Sequence, residues 1–317
     1  MTRIFKILKY TIGVLLLLLV LIIGIFWKND IPVEDLKKKY TNDASQFTEV
    51  DGLQVHFRDE GNPNDSLPIV LVHGTGASLH TWEAWVTALK GEHRVITFDL
   101  PAYGLTGPNQ TGVYSMAYYT QFLAKYLEKR QIKTCILGGN SLGGAITWQF
   151  ALAYPDKVAK MILVDAAGYP MQSKSMPIAF QLAAMPVLSN ILKNVTPRSI
   201  AKNSLLNVYV QDEKVTDVLI DRYFELTLRT GNRQAFIDRF KLRDLEKGNA
   251  NYLKINTLNM PTLILWGAGD ELIPPSVGKH FHDDLPHDTL VVLPNLGHTP
   301  MEEDAETTVR IVKAFLK

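Results

Sequence analysis

Residues 135–154 contain the pattern that most constrains the fold of this chain. An apolar run at 135–137 is followed by GNSLG at 139–143, and then by a longer apolar stretch that ends before Pro155. Short apolar runs bounded by glycine are typical of buried strands, and a longer run that stops at a proline is typical of a helix. We therefore predict a strand, a sharp turn and a helix in immediate succession.

The turn at 139–143 fits the pattern G-x-S-x-G. In a strand-to-helix turn of this kind, glycines two residues either side of the serine let the strand and the helix approach closely. The serine is held in a strained conformation with its hydroxyl clear of the backbone. Ser141 is thus a candidate nucleophile, and the backbone N–H of Leu142 is a candidate donor to an oxyanion. A glycine-rich loop with no catalytic role could contain the same five residues, so the role of Ser141 has to be judged from the other motifs of the chain.

The composition argues against several other kinds of protein. The 317 residues are 46% hydrophobic, enough for one large domain or two modest ones, and the net charge is only +1. We therefore expect no nucleic-acid partner. Cys135 is the only cysteine in the sequence, which excludes an intrachain disulfide. Because the sequence has no zinc-ligand spacing and no glycine-rich nucleotide-binding loop, we predict neither a cofactor nor a metal. The oligomeric state stays open.

The amino-terminal segment predicts a membrane anchor. Residues 10–27 are almost wholly apolar, and as a helix they would span roughly 27 Å, just enough for a bilayer core. No small-residue cleavage site follows, which disfavours a signal peptide. We therefore expect an uncleaved transmembrane helix at 1–28 and a polar linker at 29–45. The charge pattern favours a catalytic domain on the extracytoplasmic side, although lysines at 37–39 offset that bias.

Beyond the linker, predicted strands alternate with predicted helices. The strands are expected at 46–50, 53–59, 69–72, 94–98, 134–137, 160–164, 262–266 and 289–293. Alternation of this kind predicts an α/β fold with a mostly parallel central sheet and helices on both faces. Within residues 169–259 only helical spacing remains, which predicts a helical cap over the carboxyl edge of the sheet. The cap would be inserted between two parts of the core, 46–168 and 260–317.

Further motifs follow the predicted strands in a recognisable order. They are HG at 73–74, DLPAYG at 99–104, GAGD at 267–270 and GH at 297–298. Together with the serine turn they resemble the α/β-hydrolase superfamily, over roughly residue 50 to the carboxyl terminus apart from the cap. The resemblance implies the α/β-hydrolase fold. In that superfamily the chain order is nucleophile, acid, histidine, which implies a catalytic triad of Ser141, Asp270 and His298.

The resemblance also implies a role for each side chain. His298 would accept the serine proton, because neutral imidazole has a suitable pKa near 7, and Asp270 would fix its tautomer. The second oxyanion donor would be the backbone N–H of Thr75, with Gly76 as the fallback. His73 would brace this loop without taking part in proton transfer.

Three neighbouring polar residues leave alternatives open. Asp165 also ends a strand on the same edge and is the rival acid to Asp270, which could instead be a simple helix cap. Asp99 is expected to cap its own turn. His80 lies near the loop and could line the pocket.

The motifs favour one kind of hydrolase over its relatives. Serine at the nucleophile position argues against haloalkane dehalogenases and epoxide hydrolases, which use aspartate there. GNSLGG also resembles the carbon–carbon hydrolases of aromatic ring-cleavage pathways. Those usually have tryptophan after the catalytic histidine, where this chain has Thr299 and Pro300. The sequence therefore favours a lipase-like or esterase-like serine hydrolase of small-molecule esters. A carbon–carbon hydrolase and a catalytically silent binding module are the alternatives.

Apolar residues of the predicted cap indicate the substrate. They are Met176, Ile178, Phe180, Leu182, Met185, Val187, Leu188 and Ile191. We expect them to line a pocket for neutral acyl groups of short to medium length, unless they form only the cap's own core. No arginine pair is present there to bind an acid, although Arg229, Arg233 and Arg239 could each bind one singly.

Overall fold

The computed structural model describes residues 2–185, 188–190, 193–245 and 250–317. In these residues the core is a sheet of eight strands in the order β1-β2-β4-β3-β5-β6-β7-β8. The strands are β1 (Ser45–Val50), β2 (Leu53–Gly61), β3 (Ile69–Val72), β4 (Arg94–Phe98), β5 (Cys135–Asn140), β6 (Val158–Val164), β7 (Thr262–Gly267) and β8 (Asp288–Leu293). β2 is antiparallel to β1 and β4, and every other neighbouring pair is parallel. The predicted mostly parallel α/β sheet is confirmed.

Besides the helical residues 188–190, twelve α-helices accompany the sheet in the described residues. They are α1 (Thr2–Phe26), α2 (Val33–Tyr40), α3 (Glu83–Leu89), α4 (Met116–Lys129), α5 (Leu142–Ala153), α6 (Ile178–Ala184), α7 (Arg198–Val208), α8 (Asp217–Thr227), α9 (Asn232–Leu245), α10 (Pro275–Asp284), α11 (Pro300–Glu303) and α12 (Ala305–Leu316). Helices α4, α5 and α10 bury apolar side chains on one face of the sheet. Helices α3 and α12 cover the other face.

Strand β3 shows why the sheet needs helices on both faces. Ile69 and Leu71 pack into the cluster with α3 and α12, whereas Val70 and Val72 pack into the cluster with α4 and α5. All four side chains are fully buried. Successive side chains of a strand point to opposite faces, so a strand that is apolar at every position must be covered on both sides.

The helices α6 to α9 lie between β6 and β7 in the chain, and the described part of residues 169–259 contains no strand. We use the word cap for residues 169–259; that they form a separate unit over the carboxyl edge of the sheet remains a prediction. Helix α7 was not expected. Polar and charged residues interrupt its apolar positions, and Leu205 is the one residue of the helix that is buried.

The predicted location of the protein in a membrane is wrong. Helix α1 spans Thr2–Phe26, but in the part of the chain that the structure describes, no helix is long and apolar enough to cross a bilayer. The expected anchor therefore lacks support, and the extracytoplasmic position of the catalytic domain depended on it. The chain that follows α1 also binds the cap: Lys28 N–H donates to the Asn194 carbonyl at 2.8 Å, and Ile31 N–H donates to the Leu228 carbonyl at 2.7 Å.

The interval 29–45, predicted to be a polar linker, contains the helix α2. Its Leu36 and Tyr40 are buried in a small cluster with Leu105 and Leu226. The Tyr40 hydroxyl also donates to Glu225 at 2.7 Å. The polar surface of α2 hid this contact in the sequence, because two apolar residues four positions apart are enough to attach a short helix.

Candidate active site

Ser141 lies at the tip of the turn between β5 and α5, with φ 56° and ψ −113°. A positive φ is strained for a residue with a Cβ. The turn is possible because the backbones on either side approach very closely. A Cβ on Gly139 would lie 2.3 Å from the Gly143 carbonyl carbon, and one on Gly143 would lie 2.1 Å from the Val72 carbonyl oxygen. Both predicted glycine positions thus have no space for a side chain.

The loop after β3 packs directly against this turn. A Cβ on Gly74 would lie 3.2 Å from the Ser141 Cβ, which places the next residue, Thr75, beside the serine. Leu142 is the first residue of α5, and N–H groups in the first turn of a helix have no acceptor within it. The two backbone segments expected to supply oxyanion donors therefore flank Ser141.

His298 follows β8 and is bonded to the side chain of Asp270, which follows β7. The His298 Nδ1 lies 2.7 Å from Asp270 Oδ2, and both residues are buried. The other carboxylate oxygen, Oδ1, accepts from the N–H groups of Leu272 and Ile273, each at 2.9 Å. These bonds fix the carboxylate, which in turn orients the imidazole with its proton on Nδ1.

Two residues that the sequence did not single out hold the histidine loop. The Asn140 amide, next to Ser141, donates to the His298 carbonyl at 2.9 Å. The buried Glu303 carboxylate accepts from Gly297 N–H at 2.7 Å, and its other oxygen accepts from Gln211 N–H at 2.7 Å. A buried glutamate is unusual enough to attract attention, but nothing local in the sequence marks Glu303 as buried.

Asp165, the rival acid, is also buried at this edge but has a different environment. Its Oδ1 accepts from Gly267 N–H at 2.9 Å. Burial and the neighbouring Asp270 raise the pKa of the Asp165 carboxyl well above its usual range. A carboxyl that holds its proton is neutral and cannot stabilise an imidazolium as a carboxylate does. The geometry therefore favours Asp270 as the partner of His298.

His73 braces the loop after β3. Its Nδ1 donates to the Gly74 carbonyl at 2.8 Å, and its Nε2 accepts from Leu100 N–H at 3.0 Å. Burial lowers the pKa of His73, although Asp99 opposes that effect. A neutral imidazole with one donor and one acceptor bond has no free nitrogen for proton transfer.

A second serine–histidine–aspartate arrangement lies elsewhere in the core. The Ser45 hydroxyl is 3.1 Å from His56 Nε2, and His56 Nδ1 is 2.8 Å from Asp99 Oδ2. Asp99 also accepts from the N–H groups of Leu79 and Leu105, so it joins two loops besides capping its own turn. Neither the serine nor its partners line the cavity next to Ser141. This arrangement supports the scaffold.

A cavity of about 130 Å³ opens beside Ser141 and His298. Thr75 lines it from the β3 loop, and the cap contributes mostly apolar side chains, among them Phe180, Leu205 and Phe236. Phe180 is the one predicted cap residue that lines it among those the structure describes; Val187 and Ile191 lie outside the described residues. Ile178, Met185 and Leu188 are exposed at the surface.

Other predicted contributors lie away from the cavity. His80 is not among the described residues that line it; this side chain bonds the Tyr40 carbonyl at 2.9 Å instead. Of the three cap arginines, Arg233 lines the cavity, and Arg229 and Arg239 do not.

One group of side chains has the composition of a metal site. Asp165, Asp270 and His298 each place a ligand atom within 4.8 Å of the others. The bond between His298 Nδ1 and Asp270 already accounts for the closeness of two of these groups. The group is explained by the histidine–aspartate pair without a metal.

We expect Asp270→Asn to lower kcat by about 10²–10⁴-fold, because the amide would favour the wrong histidine tautomer. Asp165→Asn, the matched control, should have far less effect, because an amide resembles the protonated carboxyl in shape. Steady-state kinetics on one substrate that the wild type hydrolyses measures both variants. A larger loss in Asp165→Asn would assign the acid to Asp165.

Asp165→Asn should also raise the free energy of unfolding at pH 7. The carboxyl is ionised in the unfolded chain above about pH 3.9, but its raised pKa in the fold favours the neutral form, so folding opposes its ionisation. This penalty is fully present above the folded pKa and disappears below the unfolded value. Urea unfolding at pH 7 and pH 4 should therefore show a gain that shrinks with acidification. A constant gain would contradict a raised pKa.

Known proteins resemble this chain along most of its length. A family model for the α/β-hydrolase fold matches residues 68–305. An uncharacterized hydrolase of Bacillus subtilis, YugF, is 27% identical over 275 residues, covering 86% of this chain and 97% of the relative. A 2-hydroxy-6-oxononadienedioate/2-hydroxy-6-oxononatrienedioate hydrolase of Burkholderia vietnamiensis is 29% identical over 294 residues, covering 90% and 98%.

A solved structure agrees with these relatives. A thermophilic esterase from Thermogutta terrifontis has a TM-score of 0.69 at 26% identity, over 86% of this chain and 96% of that one. The resemblance expected from the sequence is thus confirmed. Since the family model spans well over half of the residues, the protein belongs to the α/β-hydrolase fold family and is a hydrolase of that type.

Proposed function

We propose that this protein is a serine hydrolase that cleaves carboxylic esters of neutral, mainly apolar acyl groups through an acyl-enzyme. The observation that carries the proposal is that Ser141, at a strained turn, shares an apolar cavity with His298, whose Nδ1 is bonded to Asp270. Serine needs an adjacent base to become a nucleophile, and a base needs a partner that fixes its tautomer. Residues suited to the three roles lie at one edge of the sheet.

The proposed reaction has two displacements. The Ser141 oxygen attacks the ester carbonyl carbon while its proton passes to His298 Nε2, and the imidazolium is stabilised by Asp270. The tetrahedral intermediate then collapses, and the alcohol leaves with the proton from His298. Water enters, gives a proton to the same nitrogen and attacks the acyl-enzyme, which releases the acid and restores the Ser141 hydroxyl.

The negative charge of each tetrahedral intermediate needs donors that are already in position. The backbone N–H groups of Thr75 and Leu142 are proposed for this role. Support comes from the close packing of Gly74 on Ser141 and from the position of Leu142 at the start of α5. Fixed donors of this kind typically account for about 10²–10³ in kcat each.

The cavity supports an acyl group of modest size. Its volume of about 130 Å³ is close to the ~150 Å³ of an engineered apolar cavity that binds benzene, so it has room for about six carbon atoms. Each methylene buried there contributes about 0.8 kcal/mol. Longer acyl chains should therefore react faster until the cavity is full.

A carbon–carbon hydrolase is the second candidate. The relative from Burkholderia vietnamiensis is named for 2-hydroxy-6-oxononadienedioate, a dienoate with two carboxylates, and it matches 90% of this chain. Against this candidate, Thr299 and Pro300 follow His298, and the apolar cavity wall has few groups that could bind two carboxylates.

Ser141→Ala should abolish turnover while leaving the fold intact, because a single oxygen at the turn is removed. We expect kcat to fall by at least about 10³-fold and labelling by a fluorophosphonate probe to disappear. Ser45→Ala is the matched control, since Ser45 belongs to the second arrangement, and it should retain labelling. Near-normal turnover in Ser141→Ala would refute the proposed function, and labelling that depends on Ser45 would move the nucleophile there.

The acyl preference can be measured with nitrophenyl esters of two to twelve carbons. We expect kcat/KM to rise by roughly threefold to fourfold for each added methylene, as about 0.8 kcal/mol implies, and to level off near six carbons. A dienoate with two carboxylates should react slowly. A flat length series together with rapid dienoate cleavage would favour the carbon–carbon hydrolase.

A further inference from the structure

Arg233 is a charged residue in a wall that is otherwise apolar or neutral. It lies on α9 and is 6% exposed. Apart from His298, it is the one basic side chain among the described residues that line the cavity next to Ser141, and no acidic side chain is among them. A buried arginine is costly unless an anion or several acceptors compensate its charge. The compensating group therefore determines the charge of this wall.

That group comes from the amino-terminal part of the chain. Asp30 Oδ1 accepts from Arg233 Nη2 at 2.5 Å and from Nε at 3.2 Å, and the Lys28 carbonyl accepts from Nη2 at 2.8 Å. Asp30 is itself held in place, because its second oxygen accepts from Gly231 N–H at 3.3 Å. One whole edge of the guanidinium is thus occupied by the segment that precedes α2.

The Nη1 edge of the guanidinium makes no bond to Asp30 or Lys28, and Arg233 is among the residues that line the cavity. Arg233 Nη1 is 3.4 Å from the Thr196 hydroxyl, which is a long contact, and Thr196 also lines the cavity. A carboxylate on a bound acyl group would approach at this edge. The carboxylate would lose its hydration there. Because Asp30 already balances the charge of Arg233, the attraction between Arg233 and the carboxylate would be too weak to compensate for the lost hydration.

We propose that Asp30 sets the charge specificity of the cavity: by pairing with Arg233, it excludes substrates whose acyl group carries a carboxylate and reserves the site for neutral acyl groups. The proposal rests on the proposed function. Without the Asp30 charge, the buried guanidinium would be uncompensated. Its planar N–H groups match a carboxylate, so it would become an anion-binding site.

The test compares Asp30→Asn with the wild type on two nitrophenyl esters of similar length, the neutral hexanoate and the anionic half-ester of glutaric acid. We expect the ratio of kcat/KM for the anionic ester to kcat/KM for the neutral ester to rise at least about tenfold in Asp30→Asn. In this variant the substrate carboxylate, rather than Asp30, would pair with the buried Arg233. Asp35→Asn is the matched control, because Asp35 pairs with Lys38 on the exposed side of α2. Its ratio should not change.

Two further variants keep the proposal falsifiable. Asp30→Asn combined with Arg233→Gln should return the ratio to the wild-type value. Arg233→Gln alone retains the Asp30 charge and should lower the ratio, and it replaces Asp30→Asn as the decisive variant if the latter does not fold. An unchanged ratio in folded Asp30→Asn, or an equal rise in Asp35→Asn, would overturn the proposal. A rise of the ratio that persists in the double variant, which lacks Arg233, would also overturn the proposal.

A binding experiment separates this proposal from the proposed function. Two proteins are compared by calorimetry with free glutarate: the Ser141→Ala variant and the same variant with Asp30→Asn added. The double variant should bind glutarate at least about tenfold more tightly. If the wild type hydrolyses neither ester but glutarate binding follows the prediction, the proposed function fails and the charge specificity stands. Equal glutarate binding by both proteins would refute the charge specificity, whatever the esters show.

Discussion

The close approach of β3, β5 and α5 is the constraint on which the rest of the site depends. Gly139 and Gly143 have no space for a Cβ. The Val72 carbonyl oxygen would lie only 2.1 Å from a Cβ on Gly143. Any side chain there would push the strand and the helix apart and relax the turn. Because Ser141 N–H donates to the Val164 carbonyl at 3.0 Å, the turn is also fixed to β6. The strain at Ser141 is thus maintained by packing on several sides.

Three buried carboxyl groups near this edge have different roles because different groups surround them. Burial alone would raise the pKa of Asp99, but the charge and hydrogen bond of His56 outweigh it and lower that pKa below the usual range. Asp165 has an acidic neighbour in place of a histidine, so burial and repulsion act together and raise its pKa. Asp270 has His298 and two backbone donors. Chain position alone could not assign these roles, since all three follow strands; the bonded partners do so.

The sequence predicted those features that depend on neighbours in the chain. The strand β3 was located to the residue, and the turn around Ser141 was recognised, because apolar runs and glycine spacing are local signals. The expected membrane anchor was wrong, and the packing of α2 through Leu36 was missed. The bond between Arg233 and Asp30 joins residues 203 positions apart. Local patterns carry no information about such pairs, which is why polar contacts that organise the site had to come from the structure.

The cap and the candidate base are physically coupled. His298 N–H donates to the carbonyl of Val208, the last residue of α7, at 2.8 Å. Glu303 bonds to the N–H groups of Val210 and Gln211 with one oxygen and to the histidine loop with the other. A displacement of α7 must therefore either break these bonds or carry the His298 loop with it. Arg233 belongs to the same cap and lines the same cavity as His298, so the proposed charge specificity and the placement of the imidazole both depend on cap residues.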